Sequence, residues 1–202
     1  MDRIGILAYG SLIEDPGCEL SPLIRRRIQN VETPFNIEFS RKSSSRNYAP
    51  TVVPVDSGGA AVNATIFVLV EDLDIKKAVD LVWRRETGNE ASDNHYNPPE
   101  RPSVNHVVVG EISDFYGVEK VLYAKIGANI SNPTSKQLAE LAVSSAREKA
   151  GKLRKDGISY LISLKRQEIM TPLMPEYEEE ILLATGTQSL EEAYEVASRG
   201  SL

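Results

Sequence analysis

The spacing of hydrophobic and polar residues predicts a strand-rich first part of the chain and a helix-rich last part. Runs of branched and aromatic residues bounded by Gly, Pro or polar turns predict about six strands. These strands cover residues 3–9, 36–39, 51–55, 60–70, 104–112 and 119–126, and a turn at residues 114–117 joins the last two. Most of the strands can pair with antiparallel neighbours.

Helical spacing is clearest in four stretches of the chain. A helix is predicted over residues 73–86, because apolar residues recur there at helical spacing: Ile75, Ala78, Val79 and Val82. Three further helices are predicted over residues 132–154, 175–183 and 189–197, from an Asn-Pro start, a Gly stop and an S-x-x-E capping box respectively. Strands followed by helices indicate an α+β fold, with helices against a closed or nearly closed sheet.

Composition and charge limit the classes of protein that fit this pattern. The chain has 202 residues, of which 41% are hydrophobic, and this excludes an intrinsically disordered protein. The net charge is −6, and Arg25, Arg26 and Arg27 are interpreted as a solvated helix face, so a nucleic-acid partner is not expected. The longest apolar run, residues 66–70, is too short to cross a bilayer, so no membrane partner is expected.

Cysteine and histidine usage bears on redox chemistry and metal binding. A single cysteine, Cys18, excludes an internal disulfide and a cysteine-rich zinc site, and it is expected to be a reduced, partly buried thiol. His95 and His106 are not spaced as a ligand pair, and His106 is expected to be a structural residue of a strand. We expect no metal and no cofactor, and, without a secretion signal, a cytoplasmic location.

Glu86 is the main candidate for catalysis. It follows Ile75 by eleven residues, which places it about 20° from Ile75 around the helix axis and therefore on the buried stripe. Arg84 is expected to point the opposite way. Burial and the negative end of the helix dipole both disfavour the ionised carboxylate, and they favour a proton-accepting role. The alternative is a Glu86 that emerges at the helix end and pairs with Arg85.

A second candidate feature directly follows the first predicted strand, where the sequence is Tyr-Gly-Ser-Leu at residues 9–12. A Gly-Ser turn at a strand end can present successive backbone N–H groups to an anion. A substrate carboxylate could bind there without a cationic side chain. The alternative is an ordinary turn that terminates the strand.

Together these two features resemble the γ-glutamylcyclotransferase-like family. Residues 6–12, Ile-Leu-Ala-Tyr-Gly-Ser-Leu, resemble its N-terminal Y-G-S-[LN] signature, and residues 78–88 resemble its later helix, which ends in an acidic residue close to a Gly. The resemblance covers residues 2–126. It implies a mixed β-barrel of about six strands with packed helices over residues 1–130, followed by a C-terminal helical extension over residues 131–202 that packs on the same domain.

The resemblance also implies an activity and a set of site residues. The activity is cyclisation of a γ-glutamyl amine or peptide to 5-oxoproline with release of the amine, with Glu86 as general acid and base. The resemblance implies no cofactor and no metal. The substrate-binding residues that it implies are Tyr9, Gly10, Ser11, Leu12, Arg41 and Tyr96.

The sequence departs from the family pattern in two places, and two other functions remain open. A tyrosine often follows the catalytic Glu closely in the family, whereas here the nearest is Tyr96, and no aromatic residue stands near Ser135 at the start of the next helix. One alternative is a non-catalytic small-molecule-binding module that retains the fold and the pocket. The other is an enzyme in which Glu86 acts as the base on a different amide or amine.

Overall fold

The computed structural model describes residues 2–199, and for Asp2 it describes the backbone only. Within these residues the strands are β1 (Asp2–Ala8), β2 (Ile24–Glu32), β3 (Ile37–Ser43), β4 (Ala49–Pro54), β5 (Asn63–Leu69), β6 (Val108–Phe115) and β7 (Val118–Lys125). The α-helices are α1 (Ser11–Glu14), α2 (Ile75–Thr87), α3 (Ser135–Ala146), α4 (Lys149–Lys152), α5 (Gly157–Arg166), α6 (Met174–Thr185) and α7 (Leu190–Arg199). The predicted α+β class is confirmed.

Backbone contacts divide the chain into two compact units. Among the described residues, the first contains residues 2–33 and 63–127, and the second contains residues 34–62 and 128–199. The predicted boundary at residue 130 does not coincide with this division, and it stays a prediction about the extent of the family domain. Residue 1 and residues 200–202 of the two predicted domains lie outside the described residues.

The first unit is built on a mixed five-stranded sheet with the order β2-β5-β1-β7-β6. The central strand β1 pairs antiparallel with β5 and parallel with β7, so that Gly5 lies between Val68 and Val121. Strands β6 and β7 form the predicted hairpin. The prediction of mostly antiparallel neighbours therefore holds except at β1 and β7.

Helix α2 packs on this sheet through the stripe that the sequence predicts. Asp74 caps its first turn by accepting hydrogen bonds from the N–H groups of Lys76 and Lys77, and the left-handed Gly88 ends it. Ala78 and Val82 are buried in the core that also holds Ile4, Ile6 and Leu122, and Ile75 and Val79 pack on the edge of that core. The strand and the helix that carry the two candidate motifs thus share one hydrophobic core.

Strand β2 corrects the interpretation of Arg25, Arg26 and Arg27 as a helix face. These residues lie on an exposed strand at the edge of the sheet. Arg25 pairs with Glu71, and the guanidinium of Arg27 lies 4.6 Å from the centre of the Phe67 ring. Charged side chains on an edge strand disfavour pairing with a further strand, which accounts for their place here.

The second unit contains the two-stranded sheet of β3 and β4 together with helices α3 to α7. Phe39 of β3 and Tyr177 of α6 are fully buried, and their ring centres lie 5.0 Å apart. Asn129 accepts a hydrogen bond from the Lys42 N–H at 2.7 Å and donates one to the Lys42 carbonyl at 3.1 Å, which fixes the chain that leads into α3.

The C-terminal helices match the prediction in part. Helices α6 and α7 lie where predicted, and Ser189 Oγ accepts from the Glu192 N–H at 3.2 Å as its capping box requires. The predicted helix over residues 132–154 is wrong in its bounds, because Thr134 rather than Asn132 caps α3 and the helix ends at Ala146. Helix α5, which Asp156 caps, has no counterpart in the prediction.

Candidate active site

The Tyr-Gly-Ser-Leu segment forms a tight turn between β1 and α1. Gly10 has φ 62° and ψ −137°, a combination that residues with a Cβ rarely adopt. Its carbonyl accepts a hydrogen bond from the Ile13 N–H at 3.2 Å, and the Tyr9 hydroxyl donates one to the Ala124 carbonyl at 3.0 Å. Ser11 and Leu12 lie in the first turn of α1, where the helix supplies no acceptor for their N–H groups.

The Glu86 side chain lies at the C-terminal end of α2 and is partly accessible. It is 28% exposed, and its Oε1 accepts a hydrogen bond from Nη1 of Arg85 at 2.7 Å. The prediction that Glu86 continues the buried stripe is therefore wrong, and the alternative, a carboxylate paired with Arg85 at the helix end, describes this geometry. The same geometry leaves the carboxylate accessible to a substrate.

Arg85 connects Glu86 with the end of α1. Besides Glu86, its guanidinium binds the Asp15 carbonyl, through Nε at 3.0 Å and also through Nη2. The Asp15 N–H in turn donates to the Ser11 carbonyl at 3.0 Å. A continuous set of hydrogen bonds therefore runs from the Glu86 carboxylate to Ser11, and it brings the two sequence motifs to one region of the first unit.

Arg84 is buried, contrary to the prediction that it points away from the core. Its side chain is 9% exposed and forms two hydrogen bonds of 2.9 Å with the carboxylate of Glu19. Its Nη1 also donates to the Asn94 carbonyl at 3.1 Å. The hydrogen bonds between the two side chains lower the pKa of Glu19 and raise that of Arg84. This ion pair therefore fixes the position of Arg84, which stands two residues before Glu86 in α2.

Tyr96 lies against α2 in the long segment between α2 and β6. Its hydroxyl accepts a hydrogen bond from the Val109 N–H at 3.2 Å, and its ring centre lies 6.2 Å from that of Trp83. The carboxylate of Asp80 holds this segment, by accepting from the Tyr96 N–H and by pairing with Nδ1 of His95, each at 2.7 Å. Burial acts to raise the pKa of Asp80, but these two hydrogen bonds outweigh it and the pKa is lowered.

Arg41 lies on β3, in the second unit. It is half-buried, and desolvation lowers the pKa of its guanidinium. The carbonyl of Arg41 accepts a hydrogen bond from the Thr51 hydroxyl at 3.3 Å across the hairpin. Its role as a substrate-binding residue stays a prediction.

The sequence predictions for Cys18 and His106 are also wrong. Cys18 is exposed rather than partly buried, and its hydrogen bond to Glu90, together with desolvation, raises the pKa of its thiol, which favours the protonated form. His106 is exposed in the segment before β6, where its Nδ1 accepts from the Ser103 N–H at 3.0 Å. It therefore does not belong to a buried strand.

Three residues that hold the C-terminal end of α2 had no clear sequence signal. Arg84 and Arg85 follow a hydrophobic run in a helix, a pattern that is also typical of solvated cations, and Glu19 stands in a polar turn. Among residues 2–199, no three acidic, His or Cys side chains form a group suited to a metal ion. No helix in the described part of the chain is long and apolar enough to span a bilayer. An open cavity of about 370 Å³ is lined by α5 to α7 and does not involve the residues above.

The comparisons with known proteins bear on the fold alone. No protein-family model matches the sequence, and no curated protein matches it. The arrangement of strands and helices is the γ-glutamyl cyclotransferase fold. A crystal structure of the glutathione-specific γ-glutamyl cyclotransferase from yeast is similar, with a TM-score of 0.54 and 13% sequence identity over 90% of this chain and 98% of that one.

Proposed function

We propose that this chain is a γ-glutamylcyclotransferase-type enzyme that converts a γ-glutamyl amine or peptide to 5-oxoproline and the free amine. The observation that carries the proposal is the hydrogen-bonded connection from the Glu86 carboxylate, through Arg85 and Asp15, to the helix that begins in the Tyr-Gly-Ser-Leu turn. The fold, which is that of a γ-glutamyl cyclotransferase, supports the same proposal.

In the proposed reaction Glu86 moves protons between two nitrogen atoms of the substrate. Its carboxylate accepts a proton from the α-ammonium group, and the freed amine attacks the γ-carbonyl carbon of the same molecule. A bond forms between the α-nitrogen and that carbon, and the bond from the carbon to the departing nitrogen breaks. Two protons leave the α-nitrogen and two arrive at the departing nitrogen, so Glu86 ends as a carboxylate and no water or electron is consumed.

The turn after β1 supplies the complementary part of the proposed site. Backbone N–H groups of Gly10, Ser11 and Leu12 bind the substrate α-carboxylate, and the Tyr9 side chain fixes the turn against β7. Holding the carboxylate sets the angle at which the amine meets the γ-carbonyl, and this proximity lowers the barrier without a protein nucleophile. A small-molecule substrate, the absence of a cofactor and a cytoplasmic location belong to the same proposal.

The test is incubation of the purified chain with a panel of γ-glutamyl amines and peptides, followed by mass spectrometry. The proposal expects 5-oxoproline and the free amine in equal amounts from at least one compound. The same compound with its α-amino group acetylated is the control, because it cannot attack and must stay intact. Binding without any product indicates the non-catalytic module, and release of glutamate indicates a different amide-cleaving reaction. Either result would contradict the proposal.

A further inference from the structure

Arg85 makes contacts on two edges of its guanidinium group. Nη1 donates to Oε1 of Glu86 at 2.7 Å, and Nε and Nη2 both donate to the main-chain carbonyl of Asp15. The Arg85 side chain is only 12% exposed, so the surrounding protein atoms restrict the orientation of its guanidinium group. A planar guanidinium fixes the angle between acceptors on two of its edges, which an ammonium group cannot do.

The Asp15 carbonyl, which accepts two of the Arg85 hydrogen bonds, ties Arg85 to the end of α1. Asp15 follows the last residue of α1, and its N–H donates to the Ser11 carbonyl, one residue after Gly10, at 3.0 Å. Leu12, inside α1, is buried in the same core as Leu81 and Val82 of α2. The turn and the end of α2 therefore share a core, and Arg85 adds a polar connection beside it.

The contact with Glu86 uses a single carboxylate oxygen. Oε1 receives the Arg85 hydrogen bond, whereas Oε2 has no hydrogen-bond partner within the described residues. One oxygen is thus held by the protein and the other is left for a proton from the substrate. A hydrogen bond to one oxygen orients the carboxylate and leaves its second oxygen able to accept a proton.

We infer that Arg85 is a positioning residue, which sets the distance between the proton-accepting oxygen of Glu86 and the carboxylate-binding turn. This inference rests on the proposed function, because it assigns Arg85 a role in that reaction. Arg85 does not touch the substrate. It acts on the geometry of Glu86, and a small displacement of a catalytic group is enough to slow a reaction strongly.

The test uses Arg85→Lys and Arg85→Ala in the full chain, with the best substrate of the panel. We expect kcat to fall about tenfold or more in both variants while KM changes less than about threefold, because the contacts with the substrate remain. Millimolar guanidinium should restore part of the kcat of Arg85→Ala. It should not restore Glu86→Gln, which lacks the base. Arg25→Ala, which removes an exposed partner of Glu71, is the matched control and should keep the wild-type kcat.

A second measurement does not depend on turnover. Hydrogen exchange of the amides in residues 9–15 should accelerate in Arg85→Lys, because the Asp15 carbonyl loses its donors, while β5 and β7 stay protected. Wild-type kcat in both Arg85 variants, or unchanged exchange at residues 9–15, would overturn the inference. A wild-type chain that releases no 5-oxoproline would instead overturn the proposed function, and with it the catalytic role of Arg85. The exchange data would then show only whether Arg85 couples α1 to α2.

Discussion

Arg84 and Glu19 form a two-point ion pair, with both hydrogen bonds at 2.9 Å, beneath the end of the helix that carries Glu86. The guanidinium is almost completely buried and the carboxylate is mostly buried. Removing one member of such a pair leaves the other charge desolvated without a partner, which is more costly than the pair itself is stabilising. The pair therefore links the polar turn around residue 19 to the conformation of α2.

We expect Glu19→Gln to lower the free energy of unfolding by about 3 kcal/mol, because it leaves the buried Arg84 charge without a carboxylate. Glu71→Gln is the matched control, since Glu71 pairs with Arg25 at the exposed edge strand and its loss should cost less than about 1 kcal/mol. Urea unfolding of the three proteins measures both values. Equal losses in the two variants would show that the Arg84 pair is no stronger than a surface pair.

Glu86→Gln should lower kcat by a factor of about 10² or more while the substrate still binds, because the amide cannot accept a proton. The stability change should be small, about 1 kcal/mol, because Glu86 receives a single hydrogen bond that a Gln oxygen can also accept, and Arg85 keeps its hydrogen bonds to the Asp15 carbonyl. Kinetics with the best γ-glutamyl compound, together with thermal unfolding, check both parts. An active variant, or one that has unfolded, contradicts the assignment of Glu86 as the base.

Gly10→Ala should lower the free energy of unfolding by about 1–3 kcal/mol, because its φ and ψ lie in a region that excludes residues with a Cβ. Gly88→Ala in the same unit is the control. Gly88 has the milder left-handed conformation, and an added Cβ there would meet nothing within 4 Å. Gly88→Ala should lower the free energy of unfolding by about 1 kcal/mol. Chemical denaturation of both variants measures the difference, and a Gly10 variant as stable as the wild type would refute the strained turn.

Asp80→Asn should destabilise the protein in a pH-dependent way. The pKa of Asp80 in the folded chain lies below its ordinary value of 3.8, so its contribution to stability is present above that pH and is lost as the pH falls through the folded-state pKa. The difference in unfolding free energy between wild type and variant should therefore shrink as the pH falls from about 5 to about 2. Asp72→Asn, at an exposed position, is the control. A difference that stays constant over this range would contradict the role of the carboxylate.

Much of the fold of the first unit could be predicted from sequence, because its elements carry strong local signals. The continuous apolar run of β1 and the apolar stripe of α2 identify the central strand and the helix packed on it. Strand β2 was missed because most of its side chains are exposed, Arg26 lies in a basic run, and two register shifts interrupt the alternation of its apolar residues. Helix α5 was missed although Asp156 and the apolar residues after it carry a capping signal.

The sequence yields candidate site residues, which stay a prediction, but it did not indicate the contacts that these residues make. Helical spacing placed Glu86 on the buried stripe, yet the buried polar residue at this end of α2 is Arg84. The reason is a partner distant in sequence, because Glu19 supplies a carboxylate where the helix periodicity alone indicates an apolar side chain. Arg85 was considered only as a possible ion-pair partner of Glu86. Its second acceptor, the Asp15 carbonyl, is a backbone atom that no side-chain pattern indicates.

The position of β1 in the middle of its sheet has a consequence for biosynthesis. Translation makes β1 before β5 and β7, yet Gly5 pairs with Val68 on one side and with Val121 on the other. Until the chain has been translated past residue 121, the apolar side chains of Ile4, Ile6 and Leu7 have no complete sheet to bury them. The apolar strand β1 is therefore open to non-native association until β7 is made, and the turn at Gly10 until then lacks the Ala124 carbonyl that binds the Tyr9 hydroxyl.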